Sequence, residues 1–440
     1  MRTITVLDKA ETVNWNIDNS ILSTDQFWVN SETSTVPEFV AITQDYIKQQ
    51  DIEYKISKLE DIDESKPWLI FTSINFPITL NFNDKDVLSS KQLFQGIPDT
   101  IINELVNGNA HLIISFEQES YTTRFLDLFY ALYRNNPIVP MNKLIHITVA
   151  YNIHEIYEQY CIEHAIPENE KLTIWFSTYS LLGPIRHHAR FYIPSPAVKV
   201  KKFINFNRVP RSHRLCFTSM LAEYNLLDQG YISLGISDSK MLQTPENILR
   251  YAKRNFPRIY KWKVTGDAYK CFLSGTEKLV TKLPLTIDTD NFEYRPSFGY
   301  NGDLMEFYNK SYFSIVSNTH FFSVDEKAIT LNEKEYKTIL AKHPFILIAS
   351  PGTLALLKTL GFKTFDKWFD ESYDNETNDE VRMLKLINEV DRLCKLDNNT
   401  WDTMINEMTP VLEHNYNWIV NHTNDIIFNT DFKHILEYAI

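Results

Sequence analysis

The tightest constraint on the fold lies between residues 311 and 368, where short unbroken apolar runs alternate with helix-length amphipathic stretches. Residues 312–316 (YFSIV) and 344–349 (PFILIA) are apolar at consecutive rather than alternate positions. A strand that hides both faces needs helices on both sides, which is the situation of a parallel sheet. A helix is expected over 333–342, then a tight turn at Ser350-Pro351-Gly352 and a second helix closing at Gly361. Sheets of this kind gather ligands at the carboxyl ends of their strands, where loops and helix starts converge. That rim carries Asn318, His320, Glu333 and Lys334. Asn332 is the expected N-cap, so Glu333 falls in the first turn, where a carboxylate is favoured on electrostatic grounds alone. An acid beside a base at a helix start can also hold a sugar hydroxyl and a phosphate together.

The same alternation runs through the rest of the chain. Strands are expected at 68–71, 110–116, 144–150 and 173–176, with helices over 101–106 and 123–133. Residues before about 61 carry little periodicity. Over 186–214 the chain holds Arg186, Arg190, Lys199, Lys201, Lys202, Arg208, Arg211 and Arg214, and no Asp or Glu. The Pro194-Ser195-Pro196 element within it reads as a linker. A strand over 198–206, a helix over 214–227 and a strand over 231–234 then restart the βα pattern. From Phe369 onward the chain is charged and helical, with Val381, Leu384, Leu386, Ile387 and Val390 roughly on one face. The expected architecture is α/β, with two Rossmann-like domains over 1–193 and 194–400 facing a cleft, and C-terminal helices over 401–440. A length of 440 residues suits two domains, because single cores stop growing near ~250–300 residues.

Composition closes off several classes. No apolar run reaches the ~18 residues of a membrane span and no signal-peptide pattern opens the chain, so a cytoplasmic location is expected. Cys161, Cys216, Cys271 and Cys394 lie far apart without CxxC spacing, as free thiols in a reducing compartment do. A net charge of −12 argues against coating nucleic acid with the whole surface, although a local basic patch is compatible with it. There are only 11 glycines, and neither GxGxxG nor GxxxxGK(S/T) occurs, so the usual phosphate-cradling loops lack their mechanical parts. Asp288-Thr289-Asp290 has the Asp-x-Asp form that holds a divalent metal, but no strand leads into it and no metal site is expected. No GxSxG elbow supports hydrolase chemistry.

Two basic stretches carry the candidate chemistry. Asn207, Arg208, Arg211 and Arg214 lie in the turn 205–214, between a strand and a helix. Guanidinium forks beside the free N–H groups of a helix start suit a diphosphate. A solvated basic loop would carry the same residues. The second stretch sets Arg250, Lys253, Arg254, Arg258, Lys261 and Lys263 among Tyr251, Phe256, Tyr260 and Trp262. Cations interleaved with aromatic faces bind nucleic acid by phosphate contact and base stacking. An amphipathic helix with a solvated basic face explains them equally well. The alternative reading of the whole chain is accordingly a non-catalytic nucleic-acid-binding protein using both stretches.

The segment 312–316, Ser317-Asn318-Thr319, Leu331-Asn332-Glu333-Lys334 and His343-Pro344-Phe345 resembles the donor-binding region of the fucosyltransferase-like glycosyltransferases, which have two Rossmann domains (GT-B-like) and include relatives from phages and large viruses. Pro351-Gly352-Thr353-Leu354, residues 360–365 (LGFKTF) and the turn 205–214 are similar to the same relatives, so the resemblance covers roughly 198–375. The chain departs from the family at Ser317, where relatives carry Glu, and at Asn332, where they carry Thr. The resemblance implies a metal-independent transferase with no cofactor beyond a nucleotide-sugar donor, acting on an acceptor hydroxyl such as a glycan's; if the second basic stretch contacts nucleic acid, the acceptor is instead expected to be a hydroxymethylated base in phage DNA. It implies that Glu333 binds the nucleotide ribose and Lys334 a donor phosphate, with Asn207, Arg208, Arg211, Arg214 and Asn318 beside them. An inverting transfer also needs a base for the acceptor proton. Glu119, near the end of the strand 110–116, is preferred because its Glu-Ser-Tyr step resembles one in the relatives, although a helix-capping glutamate would sit there too. His187 and His188 could instead supply the base, and Glu117, Arg254 and Lys261 are expected on the acceptor side.

Overall fold

The computed structural model describes residues 2–7, 52–57, 59–62, 66, 68–73, 94, 99–116, 123–178, 189–207, 210–234, 244–285, 287, 304–322, 328–428, 430, 431 and 434. The chain divides into two compact units, Met1–Pro184 with His422–Ile440, and Ile185–Asn421. The division falls ahead of the basic run and not at its Pro-Ser-Pro element. The helices expected as one block over 401–440 are divided between the units at Asn421.

The first unit is built on six parallel strands: β1 (Arg2–Leu7), β2 (Ile52–Ser57), β3 (Trp68–Ser73), β4 (Ala110–Phe116), β5 (Leu144–Thr148) and β6 (Thr173–Phe176), in the order β2-β1-β3-β4-β5-β6. Helices α1 (Asp99–Asn107), α2 (Thr123–Asn135) and α3 (Ile153–Glu163) connect them. Every residue of β5 is buried, His146 and Thr148 included, as a strand covered on both faces requires. Residues 422–434 return to this unit. There the Asp431 carboxylate accepts from the Phe176 N–H at 3.0 Å and pairs with His154 Nε2 at 2.7 Å, and the His434 ring stacks on Trp175 with centroids 5.1 Å apart.

The second unit has four parallel strands, β7 (Lys201–Asn207), β8 (Gly230–Leu234), β9 (Ser311–Ser317) and β10 (Phe345–Ile348), in the order β10-β9-β7-β8. All residues of β9 and β10 are buried, which matches their consecutive apolar runs. Covering helices are α4 (Ser212–Glu223), α5 (Asp267–Leu279), α6 (Glu333–Leu340), α7 (Thr353–Thr359), α8 (Asp379–Lys395) and α9 (Asn398–Asn421). Close packing fixes two glycines. A Cβ on Gly275 of α5 would lie 1.9 Å from the Ser219 carbonyl oxygen of α4, so the two helices meet backbone to backbone. Gly361 ends α7 at φ +90°, a left-handed position that favours glycine. Because β7 leads outward to β8 on one side and β9 to β10 on the other, the strand order reverses between β7 and β9. Such a reversal opens a crevice at the carboxyl ends of the two strands.

Candidate functional site

At that reversal, β7 ends in a ladder of buried amides. Asn205 Nδ2 donates to the Ile315 carbonyl at 2.8 Å, and Asn207 Nδ2 donates to Asn205 Oδ1 at 2.6 Å. Asn207 Oδ1 is buried without a hydrogen-bond partner among the described residues. An unpaired buried carbonyl is costly, so this is an atom that gains from a donor brought by a ligand. The chain then turns into α4. Its N-cap residue, Arg211, makes no side-chain capping bond. Arg211 Nη1 donates to the Thr319 carbonyl at 3.1 Å, and His213 Nε2 donates to the Asn318 carbonyl at 2.9 Å. Burial, with the charge of Arg214 beside it, holds His213 well below its ordinary pKa, so the ring donates as a neutral imidazole. Arg214 departs from expectation. It is buried, and its Nη2 donates to the carbonyls of Ser317 and Asn318 at 3.2 and 3.1 Å. Its position on the inward side of α4 makes it a tie for the loop after β9 instead of a fork open to a phosphate.

The same loop is tied to α6. Asn332 caps that helix as its sequence suggests, with Oδ1 accepting from the Lys334 N–H at 2.9 Å. Glu335 closes the reciprocal half of the cap by accepting from the Asn332 N–H at 2.9 Å on Oε2. Its Oε1 accepts from Asn318 Nδ2 at 2.8 Å. Asn318 Nδ2 also donates to the Thr330 carbonyl at 2.9 Å. Glu335 is fully buried, and burial pushes its pKa up to about 7 against the opposing pull of Lys334 and of the N–H groups it accepts from. At the half-buried end of the helix start, Lys334 Nζ lies 2.8 Å from Glu333 Oε1. The two side chains expected to take phosphate and ribose separately are therefore in contact with each other here.

Three helix starts follow the three strands β7, β9 and β10, and they differ. At α7 the Asp374 carboxylate already accepts from the N–H groups of Leu354 and Ala355 at 2.9 and 3.1 Å, so an internal anion fills that end. At α6 the Asn332–Glu335 box occupies the amides. At α4 the N-cap residue is Arg211, whose side chain makes no capping bond to its own helix. A helix start with a guanidinium beside it suits an anion.

The remaining candidates fall elsewhere. Glu117, Glu119, His187, His188, Arg208 and the Asp288-Thr289-Asp290 tripeptide lie outside the described residues. Among the described residues no cluster of three His, Cys, Asp or Glu side chains could hold a metal, and no helix is long and apolar enough to cross a membrane. Arg254 and Lys261 are exposed, but three of the four aromatics expected to stack bases, Tyr251, Phe256 and Trp262, are buried, and Tyr260 is half-buried. Their rings pack inward on Phe272 and Phe322, which leaves an amphipathic basic face. Three positions escaped the sequence reading. The Asn-x-x-Glu spacing of a capping box was available to find Glu335, whereas nothing local marks His213. Nor does anything mark Arg382 on α8, which pairs with Asp379 at 2.8 Å, donates to the Glu376 carbonyl at 2.8 Å and also to that of Phe321, and lies over the Phe321 ring at 4.2 Å. A scan against protein-family models and a search of curated proteins returned no match.

Proposed function

We propose that the protein is a nucleotide-sugar-dependent glycosyltransferase whose donor site lies at the β7/β9 reversal of the second unit. In this reading the two units are the two Rossmann-like halves of a GT-B-like enzyme, the second binding the donor and the first the acceptor. The reading is carried by one observation: the start of α4, through Arg211, and the start of α6, through Glu335, are both bonded to the single loop 317–320. In this reading Arg211 and Lys334, from two helix starts tied to one loop, would both reach a diphosphate held there. In the reaction, the acceptor oxygen bonds to the anomeric carbon while the bond from that carbon to the phosphate oxygen breaks. The electron pair leaves on the diphosphate, which Arg211, Lys334 and the α4 amides would stabilise. The acceptor proton passes to a base in the first unit, for which Glu119 remains our assignment. Arg208 keeps the diphosphate-binding role the sequence suggests for it, and Asn207 Oδ1 is proposed to accept from a donor hydroxyl.

Calorimetric titration of the full chain with UDP and with GDP tests the donor site. One of them should bind, and Arg211→Ala and Lys334→Ala should each weaken it by roughly tenfold, the worth of one charge-assisted hydrogen bond. Absence of binding by either nucleotide, or unchanged affinity in both variants, overturns the assignment.

A further inference from the structure

Residues 245–260 form one continuous helical stretch, in which the turn Tyr251–Asn255 is a π-helix between Pro245–Arg250 and Phe256–Tyr260. Between Glu246 and Asp267 the chain carries six basic residues and no acid, within a protein of net charge −12. Its inner face is aromatic and buried. The outer face presents Arg254, Arg258, Lys261 and Lys263, and among the described residues none of their side chains meets a carboxylate. Nearby acids are engaged elsewhere: Glu277 pairs with Lys253 at 2.9 Å, and Glu380 accepts from the backbone N–H of Lys263 at 3.1 Å. That last bond brings the first turn of α8 against the end of the stretch. Three aliphatic side chains on these segments are exposed: Ile259 at 41%, Val264 at 61% and Val381 at 40%.

Cations alone fit any polyanion, so the apolar residues decide. Single-stranded nucleic acid rewards exposed aromatic faces, and here the rings are turned inward. Aliphatic tips gain nothing from a phosphodiester backbone but do gain from the headgroup–acyl boundary of a bilayer, where flanking Lys and Arg meet anionic headgroups. We propose that this face of the second unit is a docking surface for an anionic lipid membrane, bound peripherally. The surface also bears on the site loop, because Tyr260 stacks on Phe322 with ring centroids 3.9 Å apart and Phe322 lies two residues beyond His320. The proposal does not depend on the transferase assignment.

Co-sedimentation of the full chain with vesicles tests it, using phosphatidylcholine alone and phosphatidylcholine mixed with phosphatidylserine. Binding is expected to the mixed vesicles only, falling with added salt, and each alanine at Arg254, Arg258, Lys261 or Lys263 should weaken it about fivefold. The pair Ile259→Ser and Val264→Ser should weaken vesicle binding further and leave any binding to a single-stranded oligonucleotide unchanged. The proposal is overturned by failure to bind the mixed vesicles at low salt, by vesicle binding indifferent to the serine pair, or by tighter binding to the oligonucleotide than to the vesicles.

Discussion

Glu335 offers the sharpest test of the geometry around the loop 317–320. Both of its carboxylate oxygens accept from N–H groups, which favours the ionised form, yet burial outweighs this and raises its pKa from the ordinary 4.5 to about 7. A carboxyl whose pKa rises on folding contributes stability that is fully present below 4.5 and is lost as the pH climbs through about 7. At ~1.4 kcal/mol per pH unit, that span corresponds to about 3 kcal/mol, most of which falls between pH 5 and pH 8. Glu335→Gln keeps the shape of the neutral acid and cannot ionise. The difference in stability, wild type minus variant, should therefore drop by about 2–3 kcal/mol from pH 5 to pH 8, whatever the fixed cost of the substitution. Urea unfolding of both chains at the two pH values measures it, with hydrogen-exchange protection of α6 as a reporter local to the second unit. A difference that stays flat with pH would refute the raised pKa. One that rises with pH would mean that the N–H groups, and not burial, govern the carboxyl.

Three further outcomes follow from the packing. Arg382→Ala should cost about 3 kcal/mol in urea unfolding, because it removes the buried ion-pair partner of Asp379 and the donor to the carbonyls of Glu376 and Phe321; a loss under about 1 kcal/mol would show that the pair is not buried in solution. Gly361→Ala should lower stability by about 1–3 kcal/mol, since the residue sits at φ +90° and its new Cβ would come within 2.7 Å of the Trp418 indole; an unchanged melting temperature would contradict that conformation. A chain ended after Asn421 loses Asp431 and His434, so the β6 region of the first unit should exchange its amides faster while α4 and α5 of the second keep their protection. Equal loss in both units would count against the division at that residue.

The second unit was largely legible because its strands are buried on both faces, and an unbroken run such as 312–316 or 344–349 announces itself. In the first unit, β4 and β6 fall at the bounds read from the sequence, 110–116 and 173–176. The pair β1 and β2 was not read. Arg2–Leu7 and Ile52–Ser57 alternate polar with apolar residues, a weaker signal, and they are separated by a long polar stretch. At the site, local features were readable and distant ones were not. The Asn332 cap follows from its own neighbours. The burial of Arg214 follows from the Ser317 and Asn318 carbonyls, which lie about a hundred positions along the chain and meet it only once β7 and β9 pair. The aromatic residues of the second basic stretch illustrate the same limit, because spacing cannot say whether a ring faces solvent or Phe322.

The return of residues 422–434 to the first unit sets an order of assembly during synthesis. A ribosome delivering the chain from its N-terminus completes the whole of Ile185–Asn421 before it releases Asp431, whose carboxylate caps the edge strand β6. The second unit can therefore complete its own contacts while the first still lacks the Asp431 bond at β6. Slow translation through 422–434 would lengthen that exposed interval, and chaperone demand during expression should track the first unit even though it emerges first.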